Sequence, residues 1–138
     1  MRKALIALMI SLGSGLTEPA FAGEGFVGSW RIKSISSAPP VDPAQTQFVI
    51  LEDGRVSSTV GCNRILGKPE IDGARIRFGP MAATRRACFR PVADLEAKYL
   101  AALDAVRSWR VEKNFKKGAT LTLLDASGAP LVTLTRAR

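Results

Sequence analysis

The residues best suited to chemistry in this chain of 138 are its only two cysteines. Cys62 sits in Gly61-Cys62-Asn63-Arg64, and Cys88 closes Met81-Ala82-Ala83-Thr84-Arg85-Arg86-Ala87-Cys88. Two thiols can form a redox couple or a structural bridge. A thiol–disulfide catalyst usually carries Cys-x-x-Cys, so that the second thiol can resolve a mixed disulfide. Here 25 residues separate the pair, and the spacing favours a structural bridge. An even cysteine count in an exported chain of this size gives the same reading. Closing a loop of about 26 residues stabilises a domain by roughly 3 to 4 kcal/mol in the chain-entropy model.

Other catalytic chemistry finds little material. The chain has no histidine, which removes the commonest general base, the usual triads and the commonest zinc ligand. Acid–base work would fall to Glu52-Asp53, Glu70/Asp72 or Asp94/Glu96. The first two pairs flank turns, and the third sits in the first turns of a helix. No loop clusters oxygen ligands as a calcium site requires. No catalytic residue, metal ligand or cofactor is therefore assigned, and no enzymatic activity is expected.

The best binding candidates are Arg64, Arg75, Arg77, Arg85, Arg86 and Arg90. Guanidinium groups hold carboxylate and phosphate in a bidentate manner that lysine cannot match. A bridge between Cys62 and Cys88 would draw the Arg64 loop towards the Arg85–Arg90 segment and concentrate positive charge there. Arg75 and Arg77 share one strand face, opposite Ile76 and Phe78. The alternative for all six is a solvated face and loop. Asn63 reads most simply as a turn residue tolerant of left-handed backbone angles, and Thr84 as a hydrogen-bonding loop residue. A ligand role is the alternative for both.

The elements that must position these residues are mostly short strands. Trp30 and Ile32 alternate with Arg31 and Lys33 in a strand over residues 28–35. Pro39, Pro40 and Pro43 mark an extended loop over 36–46. Further strands are expected at 47–51, 55–60, 66–71, 74–78, 108–112, 119–124 and 131–135. Asp53-Gly54, Asp72-Gly73 and Ser127-Gly128 turn between them. One helix is expected, because Val92, Leu95, Tyr99, Leu103 and Val106 form one apolar stripe. Pro91 suits its first turn. Asp94 and Glu96 fall near the positive end of its dipole and Arg107 near the negative end. The fold class is α+β: a mostly antiparallel, curled or barrel-like sheet of seven to eight short strands, with one helix and one disulfide. The expected core is Trp30, Phe48, Ile76, Phe78, Leu95, Tyr99, Leu103, Trp109, Leu121 and Leu123.

Residues 1–22 read as a secretory signal peptide. Arg2 and Lys3 precede the apolar run Ala4–Leu12, and Ala20-Phe21-Ala22 supplies a cleavage site before Gly23. Those nine residues of the run, eight of them apolar, are about half of the ~20 that span a bilayer, so stable membrane insertion is not expected. Residues 23–138 then form one domain. The net charge of +8 becomes +7 once Arg2, Lys3 and Glu18 are removed. Such a balance favours anionic surfaces. In the periplasm or outside the cell these are lipid headgroups, lipopolysaccharide, acidic glycans or acidic proteins, and not nucleic acid.

The ordered motifs resemble the META domain family, typified by the heat-shock protein HslJ of Gram-negative bacteria. The pattern runs from Gly28-Ser29-Trp30 through Asp53-Gly54-Arg55-Val56 to Gly61-Cys62-Asn63-Arg64 and Gly67. It continues with Thr84-Arg85 and Cys88, then Glu96, Tyr99-Leu100 and Leu103, and ends in Leu121-Thr122-Leu123 with Asp125 and Gly128. The resemblance covers about residues 26 to 136. Ser58 stands where the family often has glycine, and Arg86 where it often has methionine or another apolar residue. The resemblance implies a small curled β-structure with one helix. Family members are associated with envelope stress, novobiocin resistance, motility and secretion. None of these is a reaction, and no catalytic residues carry over. The expected protein is a non-enzymatic, monomeric envelope protein that supports stress tolerance by binding an anionic envelope component through its basic patch. The competing expectation is a protein-binding module, such as an inhibitor of a secreted enzyme or a partner of a secretion apparatus.

Overall fold

Turn residues cut the chain into short strands, each too narrow to hide an apolar face alone. The computed structural model describes residues 25–138 together with Gly13 and Gly15. The signal peptide expected over residues 1–22 and its cleavage point lie outside the described residues. The elements are β1 (Gly28–Ile35), a 3-10 turn (Pro43–Gln45), β2 (Gln47–Ile50), β3 (Val56–Thr59), β4 (Ile65–Gly67), β5 (Glu70–Asp72), β6 (Arg75–Arg77), β7 (Ala82–Ala83), α1 (Arg90–Ala105), β8 (Ser108–Asn114), β9 (Gly118–Leu124) and β10 (Pro130–Arg136). All strands pair antiparallel in one sheet, in the order β5-β6-β8-β9-β10-β1-β2-β3-β4-β7.

The strand count is ten rather than seven or eight, for two local reasons. The run expected as one strand over 66–71 is two, because Lys68-Pro69 interrupts it. Proline has no N–H to give to a ladder. So β4 pairs with β3 and β7, while β5 turns away to pair with β6. The second addition, β7, is two alanines against Ile65 and Leu66, too short to carry a pattern. The order also fixes the shape. Strands β4 and β5 are two residues apart in the chain yet lie near opposite ends of the sheet. The ends must approach one another, so the sheet curls into a half-barrel. Among the described residues no helix is long and apolar enough to cross a membrane.

Strand β1 sits in the middle of this order and carries the centre of the core. Trp30 and Ile32 are buried between exposed Arg31 and Lys33. A register shift between Ile32 and Ser34 then brings Ile35, not Ser34, to the interior. Where the β2 pairing ends, the Thr46 hydroxyl accepts from the Ile32 N–H at 2.8 Å, so this buried donor is not orphaned. Eight of the ten expected core residues are buried. Leu95 and Trp109 are only partly covered. Trp109 lies at the rim, stacked on Phe26 at 4.9 Å and donating from Nε1 to the Gly73 carbonyl. Phe26 itself is fully buried though it precedes the first strand, where no periodicity points to it.

Helix α1 lies against β10 and β1 and runs from Arg90 to Ala105, with Pro91 in its first turn as expected. Its electrostatics differ from the expectation. With the start at Arg90, the first turn holds no acidic residue. Arg107 does serve the other end, because its Nη1 donates to the carbonyls of Asp104 and Val106. The hairpin turns are acid-capped: Asp53 accepts from the Arg55 N–H, and Asp125 from the Ser127 hydroxyl. These bonds hold both carboxyl groups below their ordinary pKa.

The N-terminal end of β1 is closed by Arg136. Its guanidinium lies 4.0 Å from the Trp30 ring centre and donates to the carbonyls of Val27 and Gly25. Gly28 has φ +127°, and a Cβ there would meet Arg136 Nη1. Gly28→Ala is therefore expected to cost about 2 kcal/mol through backbone strain and loss of the Arg136 contact. Urea unfolding at unchanged slope measures it. An Arg136→Ala background, which clears the space, should recover only part of the loss because the backbone strain stays.

Candidate functional site

The two sulfurs do meet. Cys62 and Cys88 form a disulfide with their Cα atoms 6.1 Å apart, and the chain holds no free cysteine. The bridge ties the loop after β3 to the segment before α1, as the spacing predicts. Both cysteines are half-buried, so the bridge sits at the rim of the fold.

Asn63 does more here than fill a turn. Its backbone is not left-handed; that conformation falls to Gly61, at φ +132°. The Asn63 side chain is buried and fully bonded. Its amide nitrogen donates to Glu96 Oε1 at 2.9 Å and to Cys88 Sγ at 3.4 Å. Its amide oxygen accepts from Thr84 Oγ1 at 3.1 Å and from the Arg86 N–H at 2.8 Å. The Asn63 backbone N–H donates to Glu96 Oε2 at 3.1 Å. Thr84 completes the knot, accepting from the Arg64 N–H and giving its own N–H to the Arg64 carbonyl. One residue thus joins three parts of the chain that are far apart in sequence.

Glu96 is the functional residue that sequence reasoning misplaced. It was expected near the helix dipole, as one of a carboxylate pair with Asp94. It is instead buried, with both oxygens taken by Asn63. A signal was present: position 96 is four after Val92 and three before Tyr99, inside the apolar stripe. A carboxyl group on that stripe requires a hydrogen-bonding partner. Tyr99, next along the stripe, is fully buried, and burial drives its phenol pKa upward. Its hydroxyl lies 2.7 Å from Ser58 Oγ, which donates on to the Gln47 carbonyl. Ser58 is therefore Tyr99's partner, a role glycine could not fill. Trp30, the first residue of the motif set, is a core residue whose Nε1 donates to the Phe26 carbonyl.

The six arginines fall into two groups. Arg64, Arg85, Arg86 and Arg90 surround the bridge, and all four are exposed. The backbones of Arg64 and Arg86 are pinned by Thr84 and Asn63, which leaves their guanidinium groups facing solvent. Among the described residues the ion pairs are Arg55–Asp53 and Arg110–Glu112, so none of the four arginines has a carboxylate within 4 Å. Arg75 and Arg77 are exposed opposite buried Ile76 and Phe78, as expected, but on β6. There they stand directly across from Asp72 and Glu70 of β5. Opposite charges at paired positions balance each other. They line an open cleft of about 490 Å³ with Arg107 and Asp125. Phe89, 77% exposed, adds an uncovered aromatic ring directly after Cys88.

What this arrangement can do chemically follows from its bonding. The sulfurs are joined, Glu96 has no lone oxygen facing a cavity, and Asp53 is held by Arg55. No group of three or more Cys, Asp or Glu side chains gathers among the described residues. The buried network is a latch, and the exposed arginines around it are the groups available to a ligand.

Asn63→Ala should cost about 3 kcal/mol, because it strands Glu96 Oε1 in a buried site and takes the acceptor from the Thr84 hydroxyl and the Arg86 N–H. Glu96→Ala in the same background should add far less than it does alone, with a coupling of about 1–3 kcal/mol in a double-mutant cycle. Cys62→Ser with Cys88→Ser should cost about 3 kcal/mol and steepen the urea dependence, since the open chain exposes more surface when unfolded. Additive losses at Asn63 and Glu96 would mean that the two do not act as one unit.

The same architecture occurs in solved structures. An NMR structure of a protein from Burkholderia xenovorans superposes with a TM-score of 0.64 at 20% identity, covering 99% of each chain. A crystal structure of a DUF4847 family protein from Bacteroides vulgatus gives 0.55 at 13% identity, over 85% of this chain and 94% of that one. At such identities the likeness is one of fold. A comparison with curated proteins finds no match. The family model of the META domain matches residues 25–138, the same span that holds the half-barrel, the bridge and the Asn63–Glu96 latch, and the chain therefore belongs to the META domain family.

Proposed function

We propose that this protein is an exported, monomeric, non-enzymatic member of the family that supports the cell envelope under stress by binding an anionic envelope component. The observation that carries the reading is the group Arg64, Arg85, Arg86 and Arg90. They are exposed, free of carboxylate partners among the described residues, and mounted on backbone held by the disulfide and Asn63. A surface fixed in this way loses little entropy when a ligand binds. The bridge also supports export, since disulfides persist in oxidising compartments.

Exposed Phe89 beside these arginines favours a second reading, a protein-binding face. Aromatic and arginine side chains dominate the energetics of protein interfaces. The two readings separate by salt. Contacts between exposed charges weaken as ionic strength rises, whereas a packed aromatic contact does not.

Arg85→Glu with Arg86→Glu should lower the fraction of protein recovered with the envelope by roughly tenfold or more. The unfolding free energy should stay within about 0.5 kcal/mol, because both side chains are exposed and unpaired. Cell fractionation at 50 and 500 mM salt, alongside urea unfolding, provides both readouts. Association indifferent to both the substitutions and the salt sinks the basic-patch reading. A salt-resistant stoichiometric complex that Phe89→Ala abolishes establishes the protein-binding one.

A further inference from the structure

A second exposed surface lies at the tip of the β8–β9 hairpin, on a different element from the arginine group. The segment reads Lys113-Asn114-Phe115-Lys116-Lys117-Gly118. Phe115 is fully exposed, at 112% of its reference area, the most uncovered large apolar side chain among the described residues. A phenyl ring in water costs free energy that the fold could have avoided with a polar residue at this turn. The turn is also well built. Asn114 Oδ1 accepts from the N–H groups of Lys116 and Lys117 at 2.8 and 3.2 Å, and Gly118 takes φ +76° to close the three-residue tip. Asn114 pairs with Gly118 as the last rung of the ladder. The ring is thus held out by an ordered turn.

Its surroundings state the chemistry of the partner. Lys113, Lys116 and Lys117 flank the ring, all exposed, and none has a carboxylate within 4 Å among the described residues. An open recess of about 400 Å³ lined by Phe115, Ala119, Lys113 and Arg136 adjoins it. Three ammonium groups around one aromatic ring match an anionic lipid surface. On such a surface the lysines would reach phosphate level with their stems along the boundary, and the ring would enter the apolar edge. A convex knob needs no preformed cavity in a bilayer, whereas a rigid partner would need one. Lysine charges suit a diffuse array of headgroups, in contrast to the bidentate forks of the arginine group.

We infer that the β8–β9 hairpin tip is a membrane-surface anchor, with Phe115 entering the headgroup boundary of an anionic phospholipid bilayer and Lys113, Lys116 and Lys117 binding its phosphates. The inference does not require the arginine patch to function. The test uses the full chain with vesicles of phosphatidylcholine alone or with 30% phosphatidylglycerol, always comparing variants that share the same N-terminal residues. Phe115→Trp should shift its emission to the blue and be quenched by brominated acyl chains only on the anionic vesicles. Phe115→Ala should weaken partitioning about tenfold, and Lys113→Glu/Lys116→Glu/Lys117→Glu about 100-fold. Arg85→Glu/Arg86→Glu, which tests the other surface, should leave the Phe115→Trp signal unchanged. The tip variants touch no core residue, and circular dichroism checks that they fold. Should the charge-reversed variant misfold, the quenching of Phe115→Trp decides alone. An unquenched, unshifted Phe115→Trp on anionic vesicles overturns the anchor. So does loss of a protein complex on Phe115→Ala while vesicle binding is nil.

Discussion

A carboxyl group on the inner side of a helix is the constraint around which this fold closes. Glu96 leaves water when α1 packs, and an unpartnered carboxyl group in that position would cost several kcal/mol. Asn63 supplies both N–H donors it needs, one from the backbone and one from the side chain. That choice fixes the rest. The Asn63 oxygen is left to organise Thr84 and Arg86, and its second amide hydrogen reaches the sulfur of Cys88. The helix, the loop after β3 and the segment before α1 can therefore satisfy their polar groups only in one mutual arrangement. The disulfide holds the same junction covalently. The two devices act on different states: the bridge limits the unfolded chain, and the hydrogen bonds select among compact ones.

Much of this was legible in the sequence, and the parts that were not have common causes. Period-two alternation in β1 and the Asp-Gly turns give the strands within a residue or two, because each strand buries one face. The bridge follows from the cysteine count and spacing. The strand count fails at Lys68-Pro69 because the single strand expected over 66–71 runs through a proline, which has no N–H to give to a ladder. Strand β7 and Phe26 fail because their positions depend on neighbours distant in sequence. Glu96 and Asn63 fail together for a deeper reason. The place of Glu96 on the apolar stripe calls for a partner, but only the fold shows that the partner is Asn63, 33 residues away.

The arginines illustrate the same limit in electrostatics. Sequence spacing puts six of them on candidate surfaces, but charge acts through neighbours in space. Arg75 and Arg77 face Asp72 and Glu70 across a two-strand ribbon, which offsets part of their field without an ion pair inside 4 Å. Arg64, Arg85, Arg86 and Arg90 have no such opposition among the described residues, and the chain's positive excess is expressed there. A net charge of +8 is thus not a uniform property of this molecule. It is partly neutralised along the β5–β6 edge and open beside the disulfide.

The motif residues read in the sequence are consumed by the structure. Trp30 bonds Phe26, Gly61 takes the backbone angle the loop needs, and Cys62, Asn63, Thr84, Cys88 and Glu96 bond one another. Little of their bonding capacity is left for a ligand. Their bonds accordingly set how the half-barrel closes. The side chains left free to meet a ligand are ones that these residues position but do not include. Arg86 is the clearest case. Its N–H is bound to Asn63 as part of the latch, while its guanidinium points into solvent. One residue thus serves the scaffold through its backbone and the surface through its side chain.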